Sequence, residues 1–125
     1  MSRSICVIDD DQIYQIIVKK IIFKAGIFEK VHCFLNSHSA LEVYRDPKIT
    51  LPELILLDIN MPGISGTDAA EIILAKYPAL RMVLFSANIQ EANQVRATAL
   101  GIIFVAKPVT EKSIAQALNH FAGAQ

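Results

Sequence analysis

The chain has 125 residues, of which 53% are hydrophobic and 19% charged, which suits one compact domain with a sizeable core and leaves no room for a second. Its 12 lysines and arginines balance its 12 aspartates and glutamates, so there is no basic field that would collect nucleic acid or anionic lipid. The N-terminus lacks an apolar signal segment, and no apolar run approaches the roughly 20 residues of a membrane span. We therefore expect one cytoplasmic domain over residues 1–125, with neither nucleic acid nor membrane as a partner.

Five apolar runs of strand length alternate with segments of helical periodicity. The runs cover residues 5–8, 31–35, 54–57, 82–85 and 102–105. They contain both cysteines, Cys6 and Cys33, which predicts small reduced hydrophobic side chains and no disulfide or metal site.

The segments between these runs carry start and stop signals of helices. The first, residues 12–25, repeats isoleucines at turn spacing, with Asp11 as candidate N-cap and Gly26 as its stop. The next three cover residues 39–45, 67–77 and 90–100. The last follows Pro108 with Thr110 as N-cap and runs to residue 121. Strands that alternate with helices form a parallel sheet covered on both faces, so we predict a doubly wound α/β fold with five strands and five helices.

Polar residues follow four of the five predicted strands directly. Asp9 and Asp10 follow the first, Asp58 the third, Ser86 the fourth and Lys107 the fifth. One such residue is equally well explained as a cap of the next helix, but four at one edge are not. Because the carboxyl ends of parallel strands share one edge, where ligands bind, we predict that these side chains converge on one pocket.

The predicted cluster has the chemistry of a phosphoryl-transfer site. Three carboxylates within about 5 Å repel by roughly 3 kcal/mol per pair at an effective dielectric near 20, so they need a cation or altered protonation. Mg²⁺ takes one or two protein carboxylates beside phosphate oxygens, which suits so small a cluster better than a Ca²⁺ cage. Lys107 would then pair with Asp58 or a phosphoryl oxygen, the Ser86 hydroxyl would donate to another oxygen, and Asp58 remains as nucleophile.

Four motifs, in this order and spacing, make nearly the whole chain resemble the receiver domains of two-component response regulators, of the chemotaxis-regulator kind. They are Ile8-Asp9-Asp10, Leu56-Leu57-Asp58-Ile59-Asn60-Met61-Pro62-Gly63, Phe85-Ser86-Ala87 and Phe104-Val105-Ala106-Lys107-Pro108. The resemblance implies a flavodoxin-like sheet with strand order 2-1-3-4-5, no output domain in this chain, and no catalysis beyond the domain's own phosphorylation and dephosphorylation.

The resemblance also implies roles for individual residues. Asp58 is the phospho-acceptor, and Asp9, Asp10, the Asp58 carboxylate and the backbone carbonyl of Asn60 hold Mg²⁺. The Lys107-Pro108 peptide is expected to be cis, as in the family. The phosphoryl donor is a histidine kinase or a histidine phosphotransfer protein, and the sequence does not identify the downstream target.

The expected switch runs through Ser86 and Phe104. Phosphorylation adds negative charge and acceptor oxygens at Asp58, and we expect Ser86 to move toward them while Phe104 fills the space behind it. The surface of the fourth helix, fifth strand and fifth helix would then change for partner binding. The family more often has Tyr at the Phe104 position, so packing alone must carry the coupling here, whereas a merely half-buried strand aromatic is the plainer interpretation.

Three other functions fit parts of this pattern. A Mg²⁺-dependent phosphohydrolase would use Asp9 as nucleophile and Asp11 as acid/base, but no insertion supplies a lid, and we favour an N-cap role for Asp11. A flavin-nucleotide binder needs a phosphate cradle where this chain has three carboxylates. A docking module of the same fold without phosphorylation would not need the intact Asp, Ser and Lys set.

Overall fold

The computed structural model describes residues 3–87, 91–107 and 110–123. Five strands alternate with five helices along these residues. In chain order they are β1 (Ser4–Ile8), α1 (Gln12–Ala25), β2 (Lys30–Phe34), α2 (Ser37–Arg45), β3 (Leu54–Asp58), α3 (Gly66–Lys76), β4 (Arg81–Ser86), α4 (Glu91–Ala99), β5 (Ile103–Ala106) and α5 (Glu111–Gly123). Among the described residues, no helix is both long and apolar enough to cross a membrane.

The five strands form one parallel sheet in the order β2-β1-β3-β4-β5. This confirms the predicted doubly wound α/β fold and its strand order. The order reverses beside β1, because the chain steps from β1 to β2 on one side and then crosses back to β3 on the other. The carboxyl ends of β1 and β3 therefore flank the crevice in which such folds bind ligands.

Side-chain caps set where the helices begin. The Asp11 carboxylate accepts hydrogen bonds from the Ile13 and Tyr14 amides, at 2.9 and 3.2 Å, as predicted for an N-cap. Thr110 caps α5 through the Ser113 amide at 3.2 Å, also as predicted. The start of α2 differs from the prediction, because Asn36 caps it and it begins two residues earlier, at Ser37.

Each face of the sheet carries its own apolar cluster. One lies under α1 and α5 and the other under α2, α3 and α4. Two of the isoleucines whose spacing predicted α1 do not belong to its buried face: Ile13 and Ile16 are 70% and 58% exposed. The buried stripe consists of Gln15, Val18 and Ile22, one turn apart along the helix.

The edge strand β2 departs from the expectation that every strand is covered on both faces. Lys30, His32 and Cys33 are exposed, since β2 has a neighbouring strand on one side only. Cys6 is buried in β1 as expected, whereas Cys33 is solvent-exposed, and neither forms a disulfide. The predicted role of a small hydrophobic side chain thus fits Cys6 and does not fit the exposed Cys33.

Gly66, the first residue of α3, lies directly against the end of β3. A Cβ atom at this position would stand 2.0 Å from the Asp58 carbonyl oxygen and 2.7 Å from the Ile59 Cα. The Gly66 amide donates to the Ile59 carbonyl at 2.8 Å, which holds the two segments together. The missing side chain thus lets α3 approach the backbone of the residue that carries the predicted nucleophile.

Candidate functional site

The predicted acidic residues meet at the carboxyl edge of the sheet. Asp9 and Asp10 follow β1, Asp58 ends β3, and one carboxylate oxygen from each lies within 4.8 Å of the other two. Asp9 and Asp58 are buried, at 6% and 5% exposure, while Asp10 faces solvent. Three hard oxygen donors with one open side fit a small divalent cation that keeps part of its water shell.

Lys107 reaches into this cluster from the end of β5. Its ammonium lies 2.8 Å from Asp9 Oδ2 and 3.6 Å from Asp58 Oδ2, with a side chain only 7% exposed. Burial lowers the pKa of Lys107, but the hydrogen bond that it donates to Asp9 and the negative charge of Asp58 outweigh this effect and raise the pKa overall. The lysine therefore stays charged and partly neutralises the carboxylates.

Ser86, at the end of β4, is fully buried beside the same edge. Its hydroxyl accepts a hydrogen bond from the Asn60 side-chain amide at 2.9 Å, and its carbonyl accepts one from the Lys107 amide at 2.8 Å. Phe104, on β5, is half-buried against the apolar cluster beneath α4. The structure therefore brings the predicted hydroxyl, ammonium and aromatic ring to neighbouring positions on adjacent strands.

The Asp58 carboxyl group binds its proton unusually tightly. Burial raises its pKa, the Lys107 ammonium lowers it, and the neighbouring Asp9 charge raises it, with the net result moving the pKa from 3.8 to about 6. The main cause is desolvation of the carboxyl group, and the negative charges of Asp9 and Asp10 oppose the relief that Lys107 provides. A bound cation would favour the ionised form of Asp58 and so lower its pKa.

Because the pKa of Asp58 is raised, ionisation of this residue lowers the stability of the metal-free protein by an amount that depends on pH. Between pH 4 and 6 the native state holds a proton that the unfolded chain has lost, so stability falls as pH rises across this window. Asp58→Asn removes the cost and is expected to stabilise the protein by about 2 kcal/mol at pH 7.5, with no gain below pH 4. Urea unfolding with EDTA at a series of pH values measures both. If the free energies of unfolding of the wild type and of Asp58→Asn changed equally with pH over this range, the raised pKa of Asp58 would be contradicted.

Two residues of α1 complete the site and were not predicted from the sequence. The Tyr14 ring centroid lies 4.3 Å from the Lys107 ammonium. The buried Gln15 amide donates to the carbonyls of Val7, Asp9 and Phe34 at 2.9–3.2 Å, which joins the ends of β1 and β2. A polar residue in the buried stripe of a helix is a signal that could have singled out Gln15.

Asp11 has the N-cap role that we favoured for it, since its carboxylate accepts hydrogen bonds from two amides of the first turn of α1. The backbone carbonyl of Asn60 remains a predicted ligand, and the Asn60 side chain has the additional contact with Ser86. Pro108 and its expected cis peptide lie outside the described residues.

Comparison with known proteins gives a consistent assignment. The family model of the response regulator receiver domain matches residues 5–119. The chemotaxis protein CheY of Thermotoga maritima is 31% identical over 120 residues, which cover 95% of this chain and 97% of that protein. A protein-glutamate methylesterase/protein-glutamine glutaminase of Archaeoglobus fulgidus is 35% identical over 120 residues, but these span only 33% of its length. A CheY-like receiver domain from Methanospirillum hungatei has a similar structure, with a TM-score of 0.83 and 20% identity over the full length of both chains.

A parallel α/β sheet with an acidic crevice at its switch point is the architecture that the sequence resemblance to receiver domains implies. The chain belongs to the response regulator receiver domain family, in the form found in CheY. Proteins of this family act in two-component signalling, chiefly as phospho-acceptors without an enzymatic activity of their own, and take their phosphoryl group from histidine kinases.

Proposed function

We propose that this domain accepts a phosphoryl group on Asp58 and holds Mg²⁺ with Asp9, Asp10, the Asp58 carboxylate and the Asn60 carbonyl. Lys107 and Ser86 would meet the phosphoryl oxygens. The observation that carries the proposal is the placement of the Lys107 ammonium 3.6 Å from Asp58 Oδ2, within an acidic group that fits one divalent cation. A histidine kinase or a histidine phosphotransfer protein is the proposed donor.

The proposed transfer needs little from the protein except position and charge. An Asp58 carboxylate oxygen attacks the phosphorus, the bond between phosphorus and the donor's histidine nitrogen breaks, and an acyl phosphate forms. Mg²⁺ would supply the charge that lets an anionic phosphoryl group approach three carboxylates. Lys107 pairs with an oxygen of the transferred group, and Ser86, whose hydroxyl oxygen accepts from Asn60, can donate its O–H to a second one.

Intact mass after incubation with acetyl phosphate or phosphoramidate tests this proposal. We expect one phosphoryl adduct in the wild type that requires Mg²⁺ and is absent from Asp58→Asn. Asp68→Asn is the matched control, because it changes an exposed aspartate on α3 outside the acidic group and should leave the adduct intact. A folded wild type that takes no phosphoryl group from these donors or from a phosphorylated histidine phosphotransfer protein would favour an unphosphorylated docking module.

The geometry gives less support to a phosphohydrolase with Asp9 as nucleophile. Both Asp9 oxygens are engaged, Oδ1 by the Asp11 amide at 2.9 Å and Oδ2 by Lys107 at 2.8 Å. The residue proposed as acid/base, Asp11, caps α1. Retention of the Asp58 adduct in Asp9→Asn would speak against this alternative.

We further propose that Phe104 carries the signal from Ser86 to the surface of α4, β5 and α5. Its half-buried ring packs on the cluster that includes Leu84 and Ala97, next to the strand that ends in Ser86. A shift of Ser86 toward the phosphoryl group would open space on this face, and the ring is large enough to fill it. A target protein would then recognise the altered surface.

Phe104→Ala should uncouple the two events. We expect the variant to accept a phosphoryl group on Asp58 but to lose most of the phosphorylation-dependent change in the amide spectra of α4, and to be less stable by about 2 kcal/mol because a half-buried ring is removed. Phe104→Tyr keeps the ring and should keep the response. A full α4 response in Phe104→Ala would leave the ring with a packing role only.

A further inference from the structure

The ring of Tyr14 lies over the ammonium of Lys107, at 4.3 Å from centroid to nitrogen. Two features fix the ring there. The Tyr14 amide bonds to the Asp11 cap at 3.2 Å, and its half-buried side chain packs against the apolar cluster beneath α1. The contact thus joins the first turn of α1 to the end of β5, across the mouth of the acidic crevice.

Within the described part of the chain, two carboxylates contact the ammonium besides this ring. Asp9 Oδ2 accepts one hydrogen bond at 2.8 Å, and Asp58 Oδ2 lies at the longer distance of 3.6 Å. A lysine side chain loses much rotamer freedom when its nitrogen is held at one point. A ring face attracts the cation without consuming an N–H donor, and the attraction is strongest where the cation is desolvated, as here at 7% exposure.

We propose that Tyr14 is a positioning residue, whose ring holds the Lys107 ammonium beside Asp58 with a donor left over for the incoming phosphoryl oxygen. The proposal rests on the function proposed above for Asp58. The ring permits a short shift of the ammonium from the carboxylates toward a phosphoryl oxygen, since its attraction does not depend on one hydrogen-bond direction. Loss of the ring would let the lysine settle on Asp9 or turn away.

Three variants of α1 separate this role from packing. Tyr14→Phe keeps the ring, Tyr14→Leu removes it and keeps an apolar side chain, and Tyr14→Met is a second ringless variant for the case in which Leu impairs folding. Phe23→Leu is the matched control, because it removes another ring of α1 that lies 5.9 Å from a lysine, Lys19, and is itself 48% exposed. Thermal unfolding of each variant shows whether it is folded.

The first readout is the chemical shift of the Lys107 side-chain protons next to the ammonium. The ring current of Tyr14 should shift them upfield in the wild type and in Tyr14→Phe, and this shift should vanish in Tyr14→Leu and Tyr14→Met. The second readout is the rate of phosphorylation by phosphoramidate with Mg²⁺. It should fall about fivefold in the ringless variants and stay unchanged in Tyr14→Phe and Phe23→Leu.

Each outcome decides between distinct conclusions. Ringless variants that accept phosphoryl groups at the wild-type rate would overturn the role of Tyr14 and leave the function of Asp58 in place. The same holds if Tyr14→Phe is as slow as Tyr14→Leu, since the hydroxyl would then be the important group. A wild type that accepts no phosphoryl group would overturn the function of Asp58 and the role of Tyr14 together.

Discussion

Lys107→Met is expected to lower the free energy of unfolding by about 3 kcal/mol at pH 7.5 without metal. The substitution keeps most of the side-chain volume but leaves the buried Asp9 and Asp58 carboxylates without their ammonium. Uncompensated buried charges are costly because the crevice offers little solvent. Chemical denaturation in EDTA measures the loss.

The loss should depend on pH and on Mg²⁺. The pKa of Asp58 is already raised to about 6 with Lys107 present, and loss of the ammonium raises it further. Protonation of Asp58 below that value removes one of the unpaired charges, so the deficit should shrink between pH 7.5 and pH 5. Mg²⁺ should stabilise the variant more than the wild type, because the carboxylates no longer share their charge with a lysine.

Lys24→Met is the matched control for this prediction. Lys24 also pairs with a carboxylate, that of Glu111 at 2.9 Å, but the two side chains are 74% and 68% exposed. Exposed pairs of this kind contribute about 0.5 kcal/mol or less. Equal losses in the two variants, or a Lys107→Met deficit that does not change between pH 7.5 and pH 5, would contradict the electrostatic explanation.

Gly66→Ala is expected to destabilise the domain by about 3 kcal/mol or more. Its Cβ would stand 2.0 Å from the Asp58 carbonyl oxygen. The atoms that it would meet belong to the backbone of Asp58 and Ile59, so they cannot rotate away as a side chain could. Either α3 moves outward or the end of β3 shifts. The second response would displace Asp58 from Lys107, so phosphorylation should slow beyond what the loss of stability explains.

Gly26→Ala separates this clash from the general effect of replacing a glycine. Gly26 ends α1 at a φ of 72°, and nothing lies within 4 Å of its would-be Cβ. Its substitution should cost only the left-handed backbone strain, about 1 kcal/mol, and should not change phosphorylation. Comparable losses in the two alanine variants would show that α3 accommodates the methyl group without strain.

The order and type of all ten elements could be predicted because each has a local cause. A strand is indicated by its own apolar run, and α1 is bounded by an aspartate before it and a glycine after it. These signals lie within a few residues of the element that they determine. The buried face of α1 is not the one that Ile13 and Ile16 suggest, because both are exposed while Gln15 lies in the buried stripe with Val18 and Ile22. Likewise, only the position of β2 at the sheet edge explains the exposure of Cys33.

The site was predictable where topology alone decides it. Parallel strands must end at one edge, so Asp9, Asp58, Ser86 and Lys107 had to come together, as the structure shows. The Tyr14 contact depends instead on the rotation of α1 about its axis, which spacing does not determine. The Asn60 to Ser86 hydrogen bond depends on side-chain rotamers, which no motif specifies.

The hydrogen bonds of Gln15 divide the neighbourhood of Asp58 into two unequal sides. On one side, a single amide fastens the carbonyls of Val7, Asp9 and Phe34, so the ends of β1 and β2 shift together with α1 or not at all. On the other side, Ser86 and Lys107 are linked to each other through the Lys107 amide. In the switch proposed above, the phosphoryl group on Asp58 would act on the Ser86 and Lys107 side, while the Gln15 amide holds the ends of β1 and β2 together on the other side. The proposed response would then be directed toward β4 and β5 by contacts within the domain, before any partner binds.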